Sequence, residues 1–415
     1  MVRLPKTAIR PPDIPSKTDI IPIHASDRAT FKRCRRRWDW SSPMRVNLVP
    51  RVDTGTVVMP LWFGSGIHWA LSQYYDPVLP RDPVEVFQTW WEVQWRGGII
   101  TEDWLDQVYD RKPVAIDTQP EESQPHIMYR VQGLKDLIDD PDVEPFEEHR
   151  ELGINMLKYY KDYAEEFDNF SVIMAEHTFS VPVHDPDGLP LYKTDPRDGG
   201  IRPVHIRGTQ DAIIQDNESG RFGILEHKSA IRIDEDYFTK LDKDEQCTTY
   251  MYAAEQEAKI HSLEYDRIDF VIYNAIRKAF PRPPTEVRGG VFSIDRNKES
   301  TTPEMLQKFI DENGIQVIVD EDEKLKAYVE YVNTVGHEQF IIRNMVRRNR
   351  AEIRSCGSRI YMEAMDMLSD PRIYPNPTGD YMCLRCPFRA PCIAKDDGSD
   401  YEMMLGDMFE PNWSR

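Results

Sequence analysis

Asp211 and the tripeptide Glu226-His227-Lys228 are the residues of this sequence best placed to do chemistry together. Side chains alternate along a strand, so Glu226 and Lys228 share one face and His227 takes the other. Asn217-Glu218-Ser219-Gly220 carries turn chemistry between two apolar runs. If these four residues form a hairpin loop, Asp216 pairs with Arg221, and counting outward sets Asp211 opposite Glu226. Like charges directly opposite destabilise a hairpin. A divalent cation would offset that repulsion, and Mg²⁺ favours carboxylate and phosphate oxygens. Such an ion can activate water and neutralise charge on a scissile phosphate. Lys228 would hold the attacking water or stabilise the transition state. The competing reading is a surface hairpin whose charges face solvent. Against it, the flanking residues Ala212, Ile213, Ile214, Phe222, Ile224 and Leu225 are apolar, as in a buried central hairpin.

Further pieces surround this hairpin. Gly64 and His68 stand four apart on an expected early helix, Glu176 lies in the strand before the hairpin, and Gln246 and Tyr250 share a face of the helix after it. The order GxxxH, E, D, ExK, QxxxY resembles the RecB-like branch of the PD-(D/E)XK nucleases. That resemblance implies His68, Asp211 and Glu226 as ligands of a catalytic Mg²⁺ or Mn²⁺, helped by the backbone carbonyl of His227. It implies Lys228 as the catalytic lysine and Gln246 and Tyr250 as residues that position DNA or water. Glu176 would be structural or stand behind the ligands. Taken singly, each has a plainer reading: His68 as a core histidine, Gln246 and Tyr250 as an ordinary helix face.

Cys383, Cys386 and Cys392 are closely spaced, and Cys34 precedes the core. In a reducing compartment such thiols suggest a metal site before a disulfide. Zinc and a [4Fe–4S] cluster both accept four thiolates, and local spacing does not choose between them. Similarity to cluster-bearing RecB-like members, the AddB-type nuclease domains and CRISPR-associated exonucleases, implies [4Fe–4S], with one cysteine before the core and three after it. Cys247 and Cys356 sit in apolar helical patterns and read as buried thiols.

The elements expected to position these residues alternate in type. Helices are predicted over 27–40 (N-cap Ser26), 63–75, 83–95, 148–167 and 242–260, and one or two over 336–368. Strands are predicted over 172–183, 204–215, 222–229 and 267–275. Residues 1–23 read as an extended arm, 102–147 as loop with short helices, and 281–284 as an irregular proline stretch. The order is α/β and suggests a mixed sheet with helices on its faces. The resemblance narrows this to a restriction-endonuclease-like fold whose N- and C-terminal segments are joined by the four cysteines. The expectation is a single nuclease domain over 1–415, with core segments 26–75, 148–275 and 336–394 and insertions at 76–147 and 279–335.

At 415 residues the chain can build a large core without disulfides. A net charge of −19 argues against coating nucleic acid by bulk charge. Positive charge is nevertheless clustered at Arg28–Arg37 and Arg343–Arg354, which fits either a DNA channel or solvated helix faces. Arg33, Arg35, Arg36 and Arg37 could flank single-stranded DNA, with Trp38 and Trp40 available for stacking. No apolar run suits a membrane span and no signal peptide is seen, so a cytoplasmic protein is expected. No phosphate loop of a helicase motor is present either. The metal-site residues predict a metal-dependent nuclease, and the resemblance implies DNA exonuclease action on single strands or duplex ends. Without a helicase motor, a free-standing nuclease of phage or mobile-element type is expected. A non-catalytic DNA-binding protein with a structural metal, or a CRISPR spacer-processing nuclease, is the alternative. Oligomeric state is open; a ring would suit processive digestion.

Overall fold

The computed structural model describes residues 19–51, 59–96, 98–101, 127–131, 143–233, 235–287, 290–296, 299–369, 372–376 and 381–411. Strand β1 (Ile21–His24) leads into α1 (Ala25–Arg33) and α2 (Arg35–Ser41), then β2 (Leu48–Pro50), α3 (Met59–Tyr74) and α4 (Pro83–Arg96). A ribbon of β3 (Gly98–Thr101) and β4 (Ile127–Val131) precedes the long α5 (Val143–Phe167). Strands β5 (Phe170–Pro182), β6 (Tyr192–Thr194), β7 (Ile201–Asp216) and β8 (Phe222–Ala230) follow, then α6 (Glu235–Thr239), α7 (Glu245–His261) and β9 (Phe270–Arg277). A small unit of β10 (Glu286–Val287), β11 (Val291–Phe292), α8 (Pro303–Asn313), α9 (Gln316–Glu321) and α10 (Glu323–Val335) comes before β12 (Ile341–Val346) and α11 (Arg350–Leu368). The chain finishes with α12 (Tyr381–Leu384), α13 (Arg389–Asp397), α14 (Tyr401–Met408) and β13 (Phe409–Pro411).

The central sheet runs β1-β7-β8-β9-β12, with β5 and β6 also paired to β7. It is mixed: β1 lies parallel to β7 and β8 parallel to β9, while β5, β8 and β12 pair antiparallel to their neighbours β7, β7 and β9. Strand β5 pairs along most of β7, so β1 and β8 must share the opposite edge of β7 in succession. Residues 208–211 separate the last β1 pair, His24 with Arg207, from the first β8 pair, Ala212 with Leu225. Asp211 therefore stands where one neighbour gives way to another, the kind of crevice at which α/β proteins place ligands.

Helices cover both faces, as a sheet with two apolar sides requires. On one face Ile206, Ile213, Ile224 and Val271 pack with Met251 and Ala254 of α7 and Ile353 and Ile360 of α11. On the other, Ala212, Ile214 and Leu225 pack with Ile67 and Leu71 of α3, Phe87 and Trp91 of α4, and Met156 and Tyr160 of α5. Asp244 caps α7 by accepting from the Cys247 amide at 2.7 Å, and Asn349 with Glu352 forms a capping box that starts α11.

Three predicted elements turn out differently. Residues 341–346 form a strand on β9, not part of a helix. The run Ile341-Ile342-Arg343-Asn344-Met345-Val346 carries β-branched residues that suit a pleated edge. The helix predicted over 27–40 is two helices, broken where Cys34 is extended. The Arg35 amide donates to Asn376 Oδ1 and the Arg36 amide to Tyr374 O, so a C-terminal segment takes donors that a continuous helix would use. The helix inside 76–147 is core, since α4 packs beside α3 and α5; residues 102–126 and 132–142 of that segment lie outside the described residues, as do residues 1–18 of the arm. The unit from β10 to α10 has its own small core of Phe292, Leu306, Ile310, Val319, Tyr328 and Val332.

Candidate active site

The hairpin has the register counted from the sequence. Gln215 pairs with Phe222 and Ala212 with Leu225, and the Asp216 amide donates to Arg221 O at 2.9 Å. Gly220 takes a left-handed φ of 68° that closes the loop. One step past the last pair, Asp211 and Glu226 face each other as β7 and β8 part. The His227 amide donates to Asp211 Oδ2 at 2.6 Å. A carboxylate thus takes the place of the next ladder carbonyl.

The pleat of β7 shifts phase at this point. Before it, even-numbered residues face α7: Ile206 lies in that core, and Gln210 Nε2 donates to Tyr250 O at 2.9 Å. After it, Ala212 and Ile214 face α3 and α5 instead. The neighbouring strand shifts too. Glu176 has a left-handed φ of 46° in mid-strand, which is rare for a side-chain-bearing residue and marks local strain. Ala175 packs on the α3 side, whereas His177 bonds Glu257 of α7.

Asp211 is partly buried, and its Oδ1 lies 3.5 Å from His68 Nδ1 of α3. Burial would raise the Asp211 carboxyl, but the His68 contact and the charges of His68 and Lys228 override it and hold the group far below the usual carboxylate range. Glu226 is 2% exposed. Its Oε1 accepts from Lys228 Nζ and from Gln246 Nε2, the latter at 2.8 Å, and the same Gln246 nitrogen lies 2.9 Å from Tyr250 OH. Its Oε2 is buried and meets no donor among the described residues. Burial, then the charge of Asp211, pushes the Glu226 carboxyl up to about 8 against the pull of Lys228. Two facing carboxyls thus prefer different protonation states, as like charges in a confined site do. Loss of surrounding water and then the charge of Asp211 raise Glu176 to about 7 against the pull of His68, a shift weakened by the exposure of its side chain.

Behind this face, His227 points the other way. Its ring stacks on Tyr75 at 5.3 Å and 22°. Asn274 Nδ2 donates to His227 Nδ1 at 2.8 Å and to Tyr160 OH at 2.9 Å. Arg343 Nε donates to Asn274 Oδ1 at 3.2 Å. Arg343 Nη1 lies 2.6 Å from Asp168 Oδ1, an ion pair by distance with poor hydrogen-bond alignment. Tyr75 OH donates to Asp168 Oδ2 at 2.9 Å and meets Tyr160 OH at 2.8 Å. Burial pushes the His227 ring down to about 3, so it is neutral. Sequence reasoning placed the His227 carbonyl at the metal and Arg343 in a basic cluster fit for DNA, but gave Asn274, Tyr160, Tyr75 and Asp168 no site role. Two signals were available: Asn274 interrupts the apolar strand Phe270–Arg277, and Arg343 the apolar strand Ile341–Val346.

The ligand types fit a hard divalent cation. Asp211 and Glu226 supply oxygens, His68 an imidazole, and the orphaned Glu226 Oε2 lacks the positive partner its burial requires. They are neighbours, not a finished coordination shell: among the described residues no group of three or more His, Cys, Asp or Glu side chains is arranged to hold a metal.

The cysteines lie elsewhere, and all six are free thiols. Cys247 and Cys356 are buried, as predicted. Cys34, Cys383, Cys386 and Cys392 are half-buried. Arg36 donates from Nη1 to Cys392 Sγ and Cys392 O, both at 3.2 Å, and to Asp396 at 2.7 Å. Burial raises the Cys386 thiol, and Cys34 and Cys392 stand close enough to raise it further. Trp40, Phe388 and Phe409 form a small core beside them, and β13 pairs with β2.

The expected stacking surface near Cys34 is not there. Trp38 is 1% exposed and packs edge-on against Phe31, and Trp40 is buried in the small core. Apolar burial outweighs presenting either ring to solvent. Arg36 is buried and bound to Cys392 and Asp396, and Arg35 pairs with Asp366. Arg33 is exposed and Arg37 half-buried.

The chain is an α/β protein whose mixed sheet, with helices on both faces, brings Asp211, Glu226 and Lys228 close together. The family model of the PD-(D/E)XK nuclease superfamily matches residues 23–393, and the chain belongs to that superfamily. Its members are nucleases and usually use Mg²⁺ or Mn²⁺. No curated protein sequence matches the chain. Among the described residues no helix is long and apolar enough to cross a membrane.

Proposed function

We propose that this chain is a metal-dependent DNA exonuclease, acting on single strands or duplex ends in the manner of RecB-like nucleases. The observation that carries the reading is Glu226, buried with Oε2 unpartnered, facing Asp211 where β7 and β8 part. Mg²⁺ or Mn²⁺ held by His68, Asp211, Glu226 and the His227 carbonyl would supply Lewis acidity and activate water. Lys228, bonded to Glu226 Oε1, brings the positive charge that stabilises a developing phosphorane. Gln246 holds Glu226 in place and Tyr250 backs Gln246. Before the ion binds, His68 Nδ1 stands 3.5 Å from Asp211 Oδ1 and holds that carboxyl low.

The test is purified protein with Mg²⁺ or Mn²⁺ on end-labelled linear DNA and on a covalently closed circle. Linear DNA should be degraded from its ends and the circle spared. If Asp211→Ala or Lys228→Ala digests as fast as the parent, the assignment is wrong. A non-catalytic DNA-binding protein would bind both substrates and cut neither, and a CRISPR spacer-processing nuclease would trim short duplex ends only.

Cys34, Cys383, Cys386 and Cys392 belong, in this proposal, to a [4Fe–4S] cluster that clips the N- and C-terminal segments together within a single nuclease domain. Support comes from the mutual influence of Cys34, Cys386 and Cys392 and from the Arg36 contact to Cys392 Sγ. Iron analysis and the visible spectrum of anaerobically purified protein test it. A colourless protein with stoichiometric zinc would point to a structural zinc site.

A further inference from the structure

We infer that Arg207 anchors a phosphate subsite, taking a backbone phosphate of the DNA strand beside the cleavage centre. The identity of the anion rests on the nuclease reading above; the need for an anion does not.

Arg207 is 7% exposed, and its Nε and Nη1 are buried without a hydrogen-bond acceptor among the described residues. Burial alone lowers its pKa, with no carboxylate offsetting the loss of water. A guanidinium stripped of water without a counter-ion is costly, so such groups are normally paired. Elsewhere the protein follows that rule: Arg343 has Asp168, Arg28 has Glu363 and Arg36 has Asp396. Among the described buried arginines Arg207 is the exception, and it lies on the strand that carries Asp211.

Its side chain also points the right way. On this stretch of β7 the even-numbered Val204, Ile206 and Gln210 face α7. Arg207 and Thr209 therefore take the other face, and Asp211, at the break in the pleat, meets His68 of α3 on that face while acting on Glu226 on the α7 side. Four residues of strand put Arg207 about 13 Å from Asp211. That separation sets Arg207 outside the cleavage centre and within reach of the same bound strand.

The surface between them is suited to a polyanion. Thr209 is exposed, and its Oγ1 lies 3.0 Å from Thr178 Oγ1. Ser180 Oγ lies 3.1 Å from His205 Nδ1. The Thr178 and Thr209 hydroxyls line this strip of β5 and β7, with the Glu176 carboxylate at the Asp211 end, while Ser180 and His205 are buried beside Arg207. A guanidinium presents a planar fork that matches phosphate oxygens.

The test uses the full chain in a Glu226→Gln background, so that cleavage plays no part in the readout. Binding of a fluorescent oligo-deoxythymidylate is measured over a range of salt. Arg207→Met should weaken binding by about tenfold or more and lower the salt slope by about one. Arg207→Lys should recover the slope and only part of the affinity. Unchanged affinity and slope in Arg207→Met overturn the subsite. Should Arg207→Met not fold, the parent is melted in inorganic phosphate and in chloride at equal ionic strength. Specific stabilisation by phosphate then supports the site, and its absence overturns it. Phosphate stabilisation without oligonucleotide binding would keep the anion site and refute DNA as its ligand, a result separable from failure of the catalytic centre.

Discussion

Strand β8 carries two unlike environments back to back. Toward α7, Glu226 is buried beside another carboxyl with one oxygen unpartnered and its pKa pushed up to about 8. Toward α3 and α5, the polar groups at His227 are paired along a chain through Asn274, Tyr160, Tyr75, Asp168 and Arg343. The unsettled side is where a cation has something to gain; the settled side fixes the strand that presents it. Helix α3 links the two: it carries His68, and Tyr75 follows its last residue with its amide still bonded to Leu71 O at 2.9 Å, so both lie on one side. The His227 amide on Asp211 Oδ2 links them again. Reactivity here depends on what is left unsatisfied, and precision on what is not.

The sharpest way to break this contrast is Glu226→Gln. It keeps the shape, removes the charge, and should reduce Mg²⁺-dependent cleavage by on the order of a thousandfold. The metal-free protein should melt at the same temperature or higher, because a buried carboxyl without full pairing is a liability. Loss of activity together with a large loss of stability would mean that Glu226 is structural.

On the opposite side the expected effects reverse. Arg343→Met leaves Asp168 buried at 4% side-chain exposure without its partner. It should cost about 3–5 kcal/mol in urea unfolding, the usual penalty for breaking a buried pair. Adding Asp168→Asn should recover most of that loss. A single-variant cost below about 1 kcal/mol would show that the network does not support the strand.

The pH dependence of the metal-free protein gives a finer test. The folded Glu226 carboxyl titrates at about 8 and its ordinary value is 4.5. Between those values the folded state keeps a proton that the unfolded chain has released, so stability falls as pH rises from about 4.5 to about 8. Glu176 adds the same sign up to about 7, moderated by water. Asp211 acts oppositely: depressed when folded, it stabilises above its ordinary 3.8, and that contribution is lost as pH falls below it. Glu226→Gln should flatten most of the slope above pH 7, and saturating Mg²⁺ should reverse its sign in the parent. A slope that survives Glu226→Gln unchanged would assign it to other groups.

The unsettled side was legible in the sequence, and the settled side was not. Asp211, Glu226 and Lys228 lie on one hairpin, where a turn and strict alternation fix the register. Helical spacing put Gln246 and Tyr250 on one face, but only the family resemblance tied that face to Glu226, which Gln246 bonds. His227 could be assigned to the far face, but its partners come from α3, α5, β9 and β12, and no local period relates those elements. Arg343 illustrates the difficulty: in sequence it joins a basic cluster fit for DNA, yet in the fold it is committed to Asp168. The same non-local cause misled at Cys34, where Tyr374 and Asn376 break a helix whose own sequence is continuous. Trp38, read as a stacking ring, went to the core because nothing in its neighbours' spacing reveals which side of a short helix is covered.

The smallest effect isolates one link between the two sides. Tyr75→Phe keeps the ring stacked on His227 and removes the hydroxyl that donates to Asp168 Oδ2 and meets Tyr160. Losing this hydroxyl and its two hydrogen bonds should cost about 1–3 kcal/mol, toward the upper end because one partner is a buried carboxylate. Cleavage should change little, because the aromatic face against His227 remains and α3 keeps its apolar packing through Ile67 and Leu71. Tyr75→Ala removes the ring as well, so the His227 backbone and His68 lose a shared support. It should lower kcat beyond what its stability loss at the assay temperature explains, and Tyr75→Phe should not. If both variants lose kcat equally, the hydroxyl network and not the stacked ring holds the catalytic hairpin in register.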